Sequence, residues 1–321
     1  DVFFVGSGLL IAASFFSRNN LIAFTWARVL RIYPACVAAI LFCVFVVGLS
    51  FTKLSTGDYL ASKQTWSYLI KNSLLLFGIE WKLPGVFEGV PYPGAVNGSL
   101  WTLPYELRMY LCVALAGTLL LWLAQRTGRA VLKPMFAAIA IVAMGANIAN
   151  HFWPFGAFVS GHGLHLFSMF FVGSTAYLYR DQVKLLTPVF LLFSATLAVS
   201  LFHPDLFFVV YCVTVPYLVL YLAYVPGGLI RGFNRFGDYS YGIYIYAFPV
   251  QQAVVSWKAG VSITAMTLWS FPITFALAYL SWHLLEKRVL KLKKGYEVIE
   301  RFLARCWPGR ASTAVAESTR E

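Results

Sequence analysis

Arg28 and Arg31 stand three residues apart, just ahead of Tyr33 and Pro34. On a helix, positions i and i+3 share a face. Two guanidiniums on one face form a fork for phosphate oxygens, and a cytoplasmic donor carrying phosphates, such as an acyl-CoA, suits that fork. The plainer reading of an isolated Arg-x-x-Arg pair is charge that sets topology and touches lipid headgroups. Glu106 and Arg108 stand in NGSLWTLPYELRMYL, near the outer end of an apolar run. A charge within a bilayer costs about 2.5–3.5 kcal/mol on insertion scales, so each needs a reason. Residues two apart do not face each other on a helix, whereas Glu106 shares a face with Thr102 and Tyr110. Glu106 then reads either as a carboxylate lining a polar cavity, where it binds sugar hydroxyls or orients a base, or as half of a buried ion pair. For Arg108 the interfacial or paired reading is preferred.

The histidines are His151, His162, His165, His203 and His283. His162 and His165 share a helix face and could relay protons or hold a metal, but no third ligand stands nearby, so an interfacial role is preferred and no metal site is expected. His203 precedes Pro204 and Asp205 as a turn, and His283 lies three residues ahead of Glu286, a local contact. Tyrosines recur at 239, 241, 244 and 246, where their hydroxyls could line a sugar cavity or form an aromatic belt; Asp238 or Ser240 can cap the next helix. The five cysteines form no CxxC pair. No GxSxG and no P-loop is present, which weighs against hydrolase and ATPase readings.

The elements that position these residues are membrane helices. Of 321 residues 60% are hydrophobic and only 12% charged, about half the charged share of a soluble domain. The mean hydropathy is +0.71. Lipid must be the main solvent. The formal net charge of +12 sits in short loops and the tail, a topological pattern rather than a nucleic-acid surface. Apolar runs near 2–17, 34–51, 100–123, 135–151, 164–179, 185–202, 206–225, 240–257 and 263–284 predict about nine spans. Basic residues fill alternate loops: Arg18, Arg28 and Arg31; Arg126, Arg129 and Lys133; Arg180 and Lys184; Arg231 and Arg235; then Lys287 onward. With these loops cytoplasmic, the C-terminus is cytoplasmic. Residues 67–79 are too short to cross and read as a re-entrant or interfacial helix, within an irregular outer stretch from 52 to 99. The chain opens at Asp1 directly into a short span, which reads as a start inside a longer protein with one further span ahead, about ten in all. The domain assignment is thus an all-α, polytopic transmembrane helical bundle over 1–295, followed by a polar cytoplasmic tail, 296–321, expected to be disordered.

Five stretches, taken in order, resemble one family. DVFFVGSGLLI at 1–11, ARVLRIYPA with its Arg-x-x-Arg, NGSLWTLPYELRMY, GDYSYGIYIYAFPV and HLLEKRV together cover nearly the whole chain. They are similar to the acyltransferase-3 family of integral-membrane acyltransferases. The resemblance implies about ten spans, an acyl-CoA donor (usually acetyl-CoA) at the cytoplasmic face, and an acceptor that is often a cell-envelope or exported sugar. It implies no bound cofactor. It places Arg28 and Arg31 at the donor and makes Glu106, Asn97, Trp101, Ser240 and Tyr241 structural or cavity residues, with Tyr110 on the Glu106 face. Two departures stand out. The family's essential histidine belongs to the first span, ahead of Asp1, so the chain from Asp1 is expected to be inactive. Ala247-Phe248-Pro249 stands where the family often has His before Pro.

The implied function is transfer of an acyl group, acetyl foremost, from acyl-CoA to a hydroxyl of a glycan or glycolipid at a bacterial inner membrane. The upstream histidine would be the base and Glu106 a support. The rival reading is a transporter or flippase for a sugar or lipid-linked glycan. It would share the bundle and the buried carboxylate but would need neither CoA nor the arginine fork, and it would favour internal repeats, of which none is visible.

Overall fold

A computed structural model describes residues 1–18, 20–76, 78–154, 161–227 and 237–306. The described residues are helical and contain no strand; one isolated antiparallel bridge joins Thr52 to Val86. Each of the nine apolar runs lies on a helix. The helices are α1 (Val2–Arg18), α2 (Leu21–Leu41), α3 (Thr56–Ala61), α4 (Lys63–Leu74), α5 (Leu103–Thr127) and α6 (Leu132–Phe152). They continue with α7 (Gly161–Leu178), α8 (Thr187–Ser200), α9 (Pro204–Tyr224), α10 (Ser240–Trp257), α11 (Ile263–Leu280) and α12 (Tyr296–Cys306). Among the described residues five helical stretches are long and apolar enough to cross a membrane: Leu21–Phe51, Gly98–Thr127, Leu132–Phe152, Pro204–Tyr224 and Ile263–Phe302. Val2–Arg18 and Thr187–Ser200 are apolar but shorter. Side chains such as Ile141, 71% exposed, and Leu268, 70% exposed, face outward from these helices. A water-facing surface rarely carries so much aliphatic area, whereas a lipid-facing one requires it.

The structure corrects three expectations. The sequence pattern starts the second span at residue 34, after a loop carrying Arg28 and Arg31. Instead α2 starts at Leu21, with the Asn20 side chain accepting from the Ala23 amide at 2.9 Å as N-cap. Both arginines therefore sit within the helix, and Pro34 lies inside it rather than at its start. Secondly, the tail expected to be disordered from 296 begins as α12; residues 307–321 lie outside the described residues. Thirdly, no side chain caps α10: Tyr239 holds the cap position without a side-chain bond, and Ser240 Oγ donates to Asp238 Oδ1 at 2.5 Å. Arg231 and Arg235, which help to orient the chain, lie outside the described residues.

The chain divides into two units: Asp1–Asn19 with Tyr105–Phe236, and Asn20–Pro104 with Gly237–Glu321. In the first, α1 packs on α7 through glycines. A Cβ on Gly8 would stand 1.9 Å from the Phe170 carbonyl oxygen, and one on Gly173 would stand 2.0 Å from that of Val5. Only glycine permits this approach. Ser174 Oγ donates to the Gly8 carbonyl at 3.0 Å across the same crossing. The pair α8 and α9 is joined by Thr187 and Tyr221, whose hydroxyls lie 2.7 Å apart, and by the Phe190 ring stacked on Tyr221.

In the second unit α2 runs on through a π-helical turn, Phe42–Gly48, to Phe51. There the Val44 carbonyl accepts from the Tyr59 hydroxyl at 2.9 Å. Burial pushes the Tyr59 phenol up to about 12. A Cβ on Gly48 would meet that hydroxyl at 2.0 Å. Helix α4 buries Thr65, Tyr68 and Asn72 and exposes Trp66, Ile70 and Leu74. At about 1.5 Å per residue its 12 residues span roughly 18 Å, short of a bilayer core of about 30 Å. The stretch after it is irregular but tied down. Asn72 accepts from the Glu80 amide and donates to its carbonyl, and Gln252 Nε2 donates to the carbonyls of Tyr92 and Ala95 at 2.8 Å. Helices α10 and α11 pack where Gly242 lies against Ala278. Beyond α11 the chain makes a second π-helical turn, Ser281–Glu286.

Candidate active site

In the first unit, Glu106 is buried in the first turn of α5 at 4% exposure. It accepts from the hydroxyl of Tyr110, four residues on, as their shared face predicts. The same hydroxyl lies 3.5 Å from Ser7 Oγ of α1. Arg108 points elsewhere: it is exposed and lies over the Tyr105 ring at 5.7 Å. Glu106 is therefore a buried carboxylate with a phenol as hydrogen-bond donor, able to hold a hydroxyl proton or orient a donor.

Two histidines of this unit, His165 and His151, are held by neighbours. His165 Nε2 lies 3.0 Å from Asp1 Oδ2, and its Nδ1 is 3.1 Å from Asn147 Nδ2. Tyr211 donates to the same Asp1 oxygen at 2.8 Å. His151 Nε2 lies 2.9 Å from Asp205 Oδ1, its ring stacked on Phe208. Among the described residues no three His, Cys, Asp or Glu side chains gather as a metal site would need.

In the second unit, Arg28 and Arg31 are both half-buried on one face of α2. Arg31 is gripped by two carboxylates. Its Nη2 is 2.5 Å from Asp238 Oδ2 and its Nη1 is 3.7 Å from Glu286 Oε2, while the guanidinium lies 5.9 Å from the Tyr241 ring centre. Glu286 is 3% exposed and also accepts from Ser281 Oγ at 2.9 Å. Such a guanidinium is oriented by its partners and still 27% exposed, with N–H groups left over for an anion. Sequence reasoning misses this clamp. It offers Asp238 as a cap and Glu286 as a neighbour of His283 and a member of the HLLEKRV block, with no pairing to Arg31; His283 in fact meets the Tyr239 hydroxyl at 3.1 Å. Gly237 ahead of Asp238 has φ +128, and a Cβ there would stand 2.7 Å from Trp282 Nε1. That glycine in the GDYSYG block is the available signal.

The remaining candidates brace the second unit. Asn97, 1% exposed, accepts from the Ser99 amide at 3.1 Å and donates to the Ile245 carbonyl at 2.9 Å. Trp101 is half-buried in the 3-10 turn Gly98–Thr102 that leads into α5. Tyr241 donates to the Ile32 carbonyl at 3.0 Å, and Tyr244 to that of Ser99 at 2.6 Å. The tyrosine hydroxyls thus tie α10 to α2 and to the 97–102 turn. A cavity of about 240 Å³ opens between the π-turn of α2 and the later half of α10, lined by Phe42, Val46, Phe51, Pro249, Val254 and Trp257 among others. It is apolar, and none of Asn97, Trp101, Ser240 or Tyr241 lines it.

Apolar helices of membrane-crossing length define an integral membrane protein, and a buried carboxylate in one unit and an oriented arginine face in the other are its polar features. A family model described as an acyltransferase domain matches residues 1–286, and the chain belongs to that acyltransferase-3 family. It is 30% identical over 296 residues to an O-acetyl transferase of Shigella phage Sf6, covering 90% of this chain and 83% of that protein. It is 27% identical over 319 residues to nodulation protein 10 of Rhizobium leguminosarum bv. viciae, covering 91% and 82%. No solved structure matches.

Proposed function

We propose that this protein is an O-acyltransferase of the bacterial inner membrane that moves an acyl group, acetyl foremost, from acyl-CoA to a hydroxyl of a cell-envelope or exported glycan or glycolipid. The likeness to an O-acetyl transferase along most of both chains carries this reading. In the reaction the acceptor O–H gives its proton to a base, its oxygen bonds to the thioester carbonyl carbon, and the C–S bond breaks to release CoA thiolate. Arg28 and Arg31 hold the donor phosphates, with Asp238 and Glu286 fixing the orientation of Arg31. Glu106 and Tyr110 of the first unit bind or orient the acceptor. The nine apolar helices count as spans, with the C-terminal side cytoplasmic.

The test uses membranes from cells expressing the protein as its gene encodes it, supplied with labelled acetyl-CoA. Label is expected in the envelope glycan fraction, and Arg28→Ala is expected to raise KM for the donor more than it lowers kcat. Movement of a sugar across the membrane without CoA, and no transfer of label, would replace this reading with a transporter.

A further inference from the structure

Between 287 and 306 the chain carries seven basic residues against two acidic ones. Its part from 296 is expected from the sequence to be disordered, yet the segment is held in place on α2. Trp26 Nε1 donates to the Leu292 carbonyl at 2.9 Å, and Asn20 Nδ2 donates to Glu300 Oε1 at 2.6 Å. Those bonds fix which way α12 faces. Tyr296, Ile299 and Glu300 are half-buried. On the other side Val298 is 61% and Phe302 65% exposed, four residues apart on one face. Exposed Arg301 and Arg305 stand beside them, and Lys291 and Lys294 are exposed just upstream, with Leu292.

We propose that this segment is an interfacial anchor whose occupant is the anionic phospholipid headgroup layer of the leaflet where α11 ends. The three exposed apolar side chains among the described residues, Leu292, Val298 and Phe302, are too little for a stable protein interface, which buries about 800 Å² per partner. They do suit shallow insertion below a headgroup layer, flanked by cations that pair with acidic lipids. The attachment to α2 holds the apolar side chains and the cations in one register. The proposal rests on the membrane reading of the helices and not on the acyl-transfer chemistry.

The experiment reconstitutes the full chain in nanodiscs of phosphatidylcholine alone or with phosphatidylglycerol, and follows hydrogen exchange at 296–306 by mass spectrometry. Protection is expected to rise with phosphatidylglycerol. Replacing three exposed cations (Lys291→Gln, Lys294→Gln, Arg301→Gln) is expected to remove that rise, on the order of 100-fold in the lipid-binding constant. Phe302→Ser, which keeps every charge, is expected to weaken protection in both lipids. Equal exchange in the two lipids overturns the proposal. Protection reproduced in neutral nanodiscs by inorganic phosphate also overturns it, since the segment then binds anions rather than a bilayer surface. Failure of the chain to enter nanodiscs at all would instead refute the membrane reading.

Discussion

Gly8→Ala adds one methyl group where α1 crosses α7. The added carbon would lie 1.9 Å from the Phe170 carbonyl oxygen, 2.8 Å from its carbonyl carbon and 3.1 Å from its Cα. All three are backbone atoms, so no side chain can swing aside, and an ordinary contact begins near 3.4 Å. The helices must separate by more than 1 Å or tilt. Overpacking of this kind costs about 1–3 kcal/mol. Separation also stretches the 3.0 Å bond from Ser174 Oγ to the Gly8 carbonyl, a loss of roughly 0.6 kcal/mol for a membrane helix pair. The intrinsic preference of a helix for Ala over Gly returns about 0.8–1.0 kcal/mol. The expected balance is a destabilisation of about 1–3 kcal/mol. Gly6 supplies the control, because nothing stands within 4 Å of a Cβ there. Gly6→Ala on the same helix is therefore expected to be neutral or slightly stabilising. Thermal unfolding of both variants in one detergent, read by residual monodisperse protein after heating, makes the comparison. If Gly8→Ala melts with or above Gly6→Ala, the close crossing is wrong.

Arg31→Ala leaves Glu286 buried without its cation and is expected to cost about 3–5 kcal/mol, whereas Arg31→Met with Glu286→Gln recovers most of that in the same melting assay. Asn97→Ala removes both the bond to the Ile245 carbonyl and the cap on the Ser99 amide, a loss of about 1–3 kcal/mol that leaves a buried carbonyl unsatisfied; hydrogen exchange at 97–102 should rise. Because the folded Tyr59 phenol titrates at about 12 and an unfolded one near 10, the unfolded chain loses that proton first. Stability is then expected to fall as pH rises from about 10 to 12, and Tyr59→Phe should flatten that part of a denaturation-against-pH curve.

The helices were legible because a run of about 20 apolar residues has few alternatives in lipid. Glu106 and its Tyr110 partner were legible because their spacing is local. The start of α2 was not. Charge at Arg28 and Arg31 and a proline at 34 look like a loop and then a helix start, yet the Asn20 cap lies nearly four turns before that proline. The Arg31 clamp was hidden for a different reason: Asp238 lies 207 residues away, and no local pattern records such a pairing. The tyrosines of α10 were readable as a group, but whether a phenol faces a cavity or another helix is decided by what packs against it. Among 239, 241 and 244 the partners include a histidine ring, two backbone carbonyls and the Thr102 hydroxyl.

The π-helical turn Ser281–Glu286 makes the length of its helix a variable in its own right. In an α-helix, side chains five apart point about 140° away from each other. The wider turn brings them together, so that Ser281 Oγ reaches Glu286 Oε1 at 2.9 Å while Glu286 faces Arg31. Such a turn holds one residue more than the α-helix needs. Deleting Leu284 would let the helix close to regular α geometry and rotate its downstream end by about 100°. Glu286 would swing off Arg31 with every residue of the clamp still present. Substitutions test the chemistry of that carboxylate, but only a deletion tests its bearing.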